Sequence, residues 1–205
     1  MYRVLHNSAV IVVGEVFYRF MSFFSAILIA RSLGGERYGE FSFIYAYLAF
    51  FEIFVQFGFN SIITREVSRD RGKAPSLLGS IIYARTGILV VAIPLSILLI
   101  RVLGYPISVQ QGVLFASFQL LLSMRSVFEV IFRVNLRMIY PVLWNLATGR
   151  SNLILIWLGT RHPPTLPMII LCYIASCGIG MLGLAFQSGR YVSVDWSPKW
   201  VLIKD

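Results

Sequence analysis

The chain reads as an all-α, polytopic membrane bundle of six transmembrane helices. Of its 205 residues, 58% are hydrophobic and only 13% charged, with a mean hydropathy of +0.77. That is far too apolar for a soluble domain with a wet surface. Apolar runs cover about residues 8–30, 41–63, 77–100, 109–131, 141–160 and 166–187, each near the ~20 residues a tilted helix needs to span ~30 Å of hydrocarbon. None shows the ~10-residue alternation of an outer-membrane barrel, and lipid admits only helices or closed barrels. Residues 1–187 are therefore expected to form one six-helix lobe. Residues 188–205 follow as an amphipathic cytoplasmic tail or the start of a linker.

The first run is retained rather than cleaved as a signal peptide, because Glu15 and Arg19 interrupt its apolar centre and no small-residue cleavage site follows. Ser22, Ala26 and Ala30 repeat at small-xxx-small spacing, which suits close helix packing. After the second run, TREVSRDRGKAPS (64–76) reads as a solvated cytoplasmic loop touching anionic headgroups. Pro94 falls inside the third run and predicts a kink. In the sixth, Ser176 and Gly180 repeat the small-residue spacing, and Cys172 and Cys177 read as small packing residues rather than a metal site or disulfide. The tail carries Trp196, Lys199, Trp200 and Lys204, residue types of the membrane interface.

A net charge of +9 would suggest nucleic acid for a soluble protein, but here it reports how the loops face the membrane. With a cytoplasmic N-terminus, the inside segments hold Arg3, Arg65, Arg69, Arg71, Lys73, Arg133, Arg137, Arg190, Lys199 and Lys204. Only Arg31, Arg37, Arg101 and Arg161 lie outside. Both termini are therefore expected in the cytoplasm.

Glu15, Arg19, Glu52, Arg85, Arg125, Glu129 and Arg150 fall inside the predicted spans. Each costs about 2.5–3.5 kcal/mol at a helix centre on insertion scales, so they should face one another or water. Together they imply an interior polar cavity. Glu15 with Arg19, and Arg125 with Glu129, are i,i+4 pairs that structural pairing alone can explain. Arg85, Arg150 and Glu52 need partners from other helices or a ligand, although Arg150 is near enough to an end to snorkel. A cavity lined by Arg19, Arg85, Arg125 and Arg150 suits a phosphate or carboxylate. Glu15, Glu52 and Glu129 are the candidates for reversible protonation and ion coupling. Most of the 15% aromatic content reads as lipid contact, while Tyr18, Tyr45 and Tyr47 offer faces for stacking on sugar rings.

Motifs of catalysis are missing from the sequence: no HExxH pair, no GxSxG elbow, no P-loop and no clustered acids for metal-dependent phosphotransfer. His6 and His162 fall on opposite sides of the membrane in the predicted topology. No cofactor or metal is expected, and the chain is not read as an enzyme.

The stretch GEVFYRFMSFFSAILIARSLGGERYGEFSF resembles the opening signature of the bacterial oligosaccharide flippases, the polysaccharide biosynthesis branch of the multidrug/oligosaccharidyl-lipid/polysaccharide exporter superfamily. FGFNSIITREVSRDRGK resembles the family's second-span exit, and FRVNLRMIYPVLWNL, with Arg133, Arg137, Met138 and Tyr140, its fourth-to-fifth connection. The resemblance implies one lobe of a two-lobed exporter in the bacterial cytoplasmic (inner) membrane. Such a protein flips undecaprenyl-pyrophosphate-linked oligosaccharide by ion-coupled alternating access, for lipopolysaccharide or exopolysaccharide export. It matches Glu15 and Arg19 to a first-helix polar pair, and Arg31, Gly34, Tyr38 and Gly39 to a structural turn. Gln56 stands where relatives often carry an acid. Implied partners are membrane lipid, the lipid-linked oligosaccharide, a polysaccharide polymerase and glycosyltransferases, with a homodimer if the chain ends at Asp205; nucleic acid is not among them. A drug/cation exporter of the same superfamily, a membrane-embedded transferase and a non-transporting scaffold of a polysaccharide assembly complex are the alternatives.

Overall fold

The computed structural model describes residues 2–69, 74–135, 137–161 and 163–190, without the side chains of residues 2–8, 68, 74 and 134. Expectations resting on the side chains of Arg3 and His6, on Arg71, Lys73 and His162, and on the tail with Trp196, Lys199, Trp200 and Lys204 lie outside the described residues. Within them the chain is helical and forms no strand: α1 Tyr2–Gln56, α2 Phe59–Arg69, α3 Ala74–Val102, α4 Ile107–Ala116, α5 Phe118–Leu122, α6 Arg125–Val134, α7 Ile139–Gly159 and α8 Leu166–Ser188.

At 55 residues, α1 is too long for one crossing, and it breaks at Gly34, whose φ of 76° and ψ of 172° leave the helical region. Only glycine occupies that backbone region without strain. A Cβ there would meet nothing within 4 Å, so the requirement is conformational rather than steric. A second break, between α1 and α2, puts Phe57 at φ 23° and Gly58 at φ 71°.

Residues 64–69, expected in a loop, instead continue α2. Ile63 and Val67, one turn apart, are buried against Leu77, Leu78, Ile81, Val130 and Ile131. Arg65 and Arg69 remain outside, at 2.9 and 3.9 Å from Glu66. An apolar i,i+4 stripe was enough to make this charged segment an amphipathic helix.

The fourth apolar run is subdivided. Around Ser117 and Ser123 the backbone makes i→i+3 bonds, from Leu120 N to Ser117 O, Ser123 N to Leu120 O and Ser126 N to Ser123 O. The side chains supply a reason. Ser117 Oγ donates to Leu114 O at 2.8 Å and Ser123 Oγ to Leu120 O at 2.6 Å. Serine hydroxyls bonded back to the preceding turn tighten and bend a helix locally. Pro94 sits inside α3, which stays helical from Ala74 to Val102.

Among the described residues four stretches are long and apolar enough to cross a membrane: Ala9–Val67, Pro75–Val102, Ile107–Arg133 and Leu166–Ser188. The sequence predicts six. The first stretch, 59 residues long, merges the first two predicted spans across Gly34. α7 has the length of a span, but Asn145, Thr148, Arg150, Ser151 and Asn152 lower its apolarity.

Packing centres on α8, which lies against α7, α4, α6 and α5, while α1 packs on α7, α4 and α3. Two apolar clusters result. The larger runs through Ile44, Leu48, Leu89, Val113, Ile156 and Ile169; the smaller joins α2, α3 and α6. Ser176 and Gly180 lie on the buried stripe of α8, as their spacing predicts. On α1, Ser22 is exposed, and Gly14 and Ser25 take the close-packed side.

Candidate functional site

Between the two apolar clusters lies Arg85, a fully buried side chain. Its Nη2 donates to Asn60 Oδ1 at 2.9 Å and its Nη1 to Ser126 Oγ at 2.7 Å and Ser123 O at 3.5 Å. The guanidinium carbon stands 5.7 Å from the Phe59 ring centroid. Its Nε has no hydrogen-bond partner. Among the described residues no carboxylate lies within 4 Å of it. Neutral oxygens alone therefore solvate a buried cation, an arrangement that costs several kcal/mol unless opposite charge stands close by.

That charge lies across the serines. A polar cavity of about 190 Å³ is lined by Glu52, Gln56, Gln119, Leu122, Ser123, Arg125, Ser126, Glu129 and Cys177. Ser123 and Ser126 thus bond Arg85 on one side and border the cavity on the other. Arg125 Nε donates to Glu129 Oε1 at 3.1 Å, and Nη1 reaches Thr148 Oγ1 at 3.5 Å. Its Nη2 donates to Asn145 Oδ1. Each nitrogen of this guanidinium has a partner, and α6 and α7 together hold it in place. Glu52 accepts from Gln56 Nε2 at 2.8 Å and has no cation within 4 Å among the described residues. Gln119 Oε1 is a buried acceptor without a partner.

Farther along α8 a second cavity of about 200 Å³ is lined by Tyr18, Ser22, Ser25, Thr148, Asn152, Tyr173 and Cys177 with apolar neighbours. Cys177 borders both cavities, and Thr148 borders the second while touching Arg125. The interior therefore carries a polar tract from Glu52 to Asn152. Tyr45 packs edge-on against Tyr173 at 5.0 Å, its buried hydroxyl unpartnered. Tyr47 is structural, donating to Ser96 O at 2.7 Å.

Of the seven charges predicted to share one cavity, Glu52, Arg125 and Glu129 line it, and Arg85 adjoins it. Glu15 and Arg19 pair with each other at 2.9 Å, but on the outer surface, with side chains 47% and 78% exposed. Arg150 is also exposed, and it borders neither cavity. Asn60, Ser123, Ser126, Asn145 and Thr148 escaped the sequence analysis. Their signal was available: Ser123 and Ser126 flank Arg125 in LLSMRSVFE, and Asn145 and Thr148 repeat at i,i+3 in WNLAT, where small polar residues hydrogen-bond across membrane helices.

An all-helical chain with membrane-length apolar stretches and a charged cavity between its helices defines an integral membrane protein with a polar interior. A model of the polysaccharide biosynthesis protein family matches residues 4–203, and the chain belongs to that family. No curated protein and no solved structure matches it.

Proposed function

We propose that the chain is a six-span lobe of a transporter that flips undecaprenyl-pyrophosphate-linked oligosaccharide across the bacterial cytoplasmic membrane, with both termini in the cytoplasm. Family membership supports a role in polysaccharide export. One observation favours anion handling by a coupled carrier: the cavity gathers Arg125, Glu129 and Glu52, with Arg85 one serine layer away. Arg125 and Glu129 neutralise each other, leaving Arg85 and Glu52 as opposite charges with no direct ion pair. A pyrophosphate drawn toward Arg85 and a proton taken up by Glu52 would keep the interior neutral.

The exposed Glu15–Arg19 pair and Arg150 also fit a lobe. Charge on a surface at membrane depth calls for a polar face opposite, which a second lobe or a second copy would supply. No step in this cycle needs a catalytic group or cofactor.

Glu52→Gln and Arg125→Ala, introduced into the gene of a strain whose surface glycan depends on this protein, test the proposal. Glycan export falls at least tenfold while the membrane-inserted protein persists. Unchanged export at normal protein level would sink the cavity as the transport site and leave a scaffold.

A further inference from the structure

We propose that the outward-facing groove between α1 and the C-terminal half of α7 binds one anionic phospholipid of the bilayer, its hydrocarbon along the groove and its phosphate on Arg31 and Arg161. The groove holds about 520 Å³ and is lined by Phe24, Ile27, Leu28, Leu153, Ile154 and Trp157, with Arg31 the single charged lining residue. Its size is that of an ordinary ligand site. It shares no lining residue with either polar cavity, so the assignment stands apart from the transport proposal.

Charge complementarity selects the occupant. Among the described residues, Arg31 and Arg161 have no carboxylate within 4 Å. Arg161 lies over the Trp157 ring, its guanidinium carbon 3.8 Å from the centroid, a stacking that leaves the edge donors of the fork free for phosphate. Arg37 Nη1 reaches Pro164 O at 3.5 Å, bringing the turn after Gly34 near the chain beyond α7. Tryptophan beside arginine is the pairing expected at headgroup depth. The other large groove, about 820 Å³ along Phe50, Phe54, Tyr83, Val91, Leu95 and Leu99, has no charged lining residue. It can accept a hydrocarbon chain but cannot choose a headgroup, and it serves as the contrast.

The test uses the full chain in mixed bilayers of phosphatidylcholine and phosphatidylglycerol, one lipid at a time carrying brominated chains. Quenching of Trp157 is isolated by subtracting the Trp157→Phe variant. Brominated phosphatidylglycerol is expected to associate roughly fivefold more strongly per arginine than brominated phosphatidylcholine. Arg31→Gln should lose about that factor and Arg31→Lys should keep most of it. High salt should weaken the preference in the unaltered chain, an arm that needs no variant to fold. Equal quenching by the two lipids, a preference unmoved by salt, or a preference undiminished by Arg31→Gln would overturn the site. Competition by inorganic phosphate beyond that of sodium chloride at equal ionic strength would overturn the lipid as occupant, because the anion alone would then suffice.

Discussion

Arg85 carries the most consequential chemistry of any single residue here. Its burial is complete, yet its partners are the neutral oxygens of Asn60, Ser126 and Ser123. Two costs compete when the charge is removed. Arg85→Met relieves the desolvation of an ion, worth several kcal/mol. It orphans Asn60 Oδ1, at about 1–3 kcal/mol; Ser126 Oγ still donates to Ser123 O at 2.9 Å. Glu52, left without its opposite charge, borders the cavity and can take up a proton. Relief is then larger, so Arg85→Met should unfold no earlier than the unaltered protein in a thermal scan while glycan export is lost. A drop of more than about 4 °C, on the order of 1 kcal/mol or more at this chain length, would instead make Arg85 a structural residue. Gly34 offers a second comparison. Gly34→Ala forces a Cβ into φ 76°, ψ 172°, at a cost of about 1–3 kcal/mol. Gly35→Ala next door meets open space and carries no positive φ, so it should leave the melting temperature within about 2 °C. Equal losses at both positions would contradict the assigned break.

Helix packing, more than the charges, decides how the cavity is built. A Cβ on Gly180 of α8 would run into Thr148 Oγ1 and stand 3.1 Å from Arg125 Nη1. The missing side chain is what lets α6, α7 and α8 converge on one guanidinium. Gly180→Ala is therefore expected to displace Thr148 and Arg125, lowering stability by about 1–3 kcal/mol and reducing export. Gly178→Ala, with nothing within 4 Å, is the matched control. Thermal unfolding of the two variants should differ; matching curves would mean that α8 shifts to absorb the methyl. Much at this scale was legible in the sequence, since Ser176 and Gly180 announced a close approach and i,i+4 spacing announced the Arg125–Glu129 pair. Glu15 and Arg19 share that spacing but pair on the surface, because a period of 3.6 fixes which residues share a face, not what the face meets. Asn60 was illegible for a related reason. Its role exists only once the break at Phe57 and Gly58 has turned α2 toward α3.

At the scale of the whole molecule, α7 sets the topology. Its 21 residues span about 32 Å as helix, enough for ~30 Å of hydrocarbon, but its polar residues keep it out of the apolar stretches. The packing explains how it could cross. α7 lies between α1 and α8, with Thr148, Gly149, Asn152 and Ile156 buried. Inside the bundle Asn145 and Thr148 meet Arg125 and Trp144 Nε1 donates to Gln187 Oε1 at 2.8 Å, so lipid need not solvate them. A helix can cross despite modest hydropathy where its polar groups meet protein instead of hydrocarbon, as Trp144, Asn145 and Thr148 do here, while exposed Arg150 needs the polar face proposed above. The consequence is a sidedness. Cysteines placed at Asn135, before α7, and at Pro163, beyond it, in a background of Cys172→Ser and Cys177→Ser, should react with a membrane-impermeant maleimide from opposite faces. On the positive-inside count, Pro163→Cys labels in intact cells and Asn135→Cys only after lysis. Labelling of both from the same face would put α7 on one side of the bilayer, and the six-span lobe would have to be abandoned along with the both-termini-inside topology.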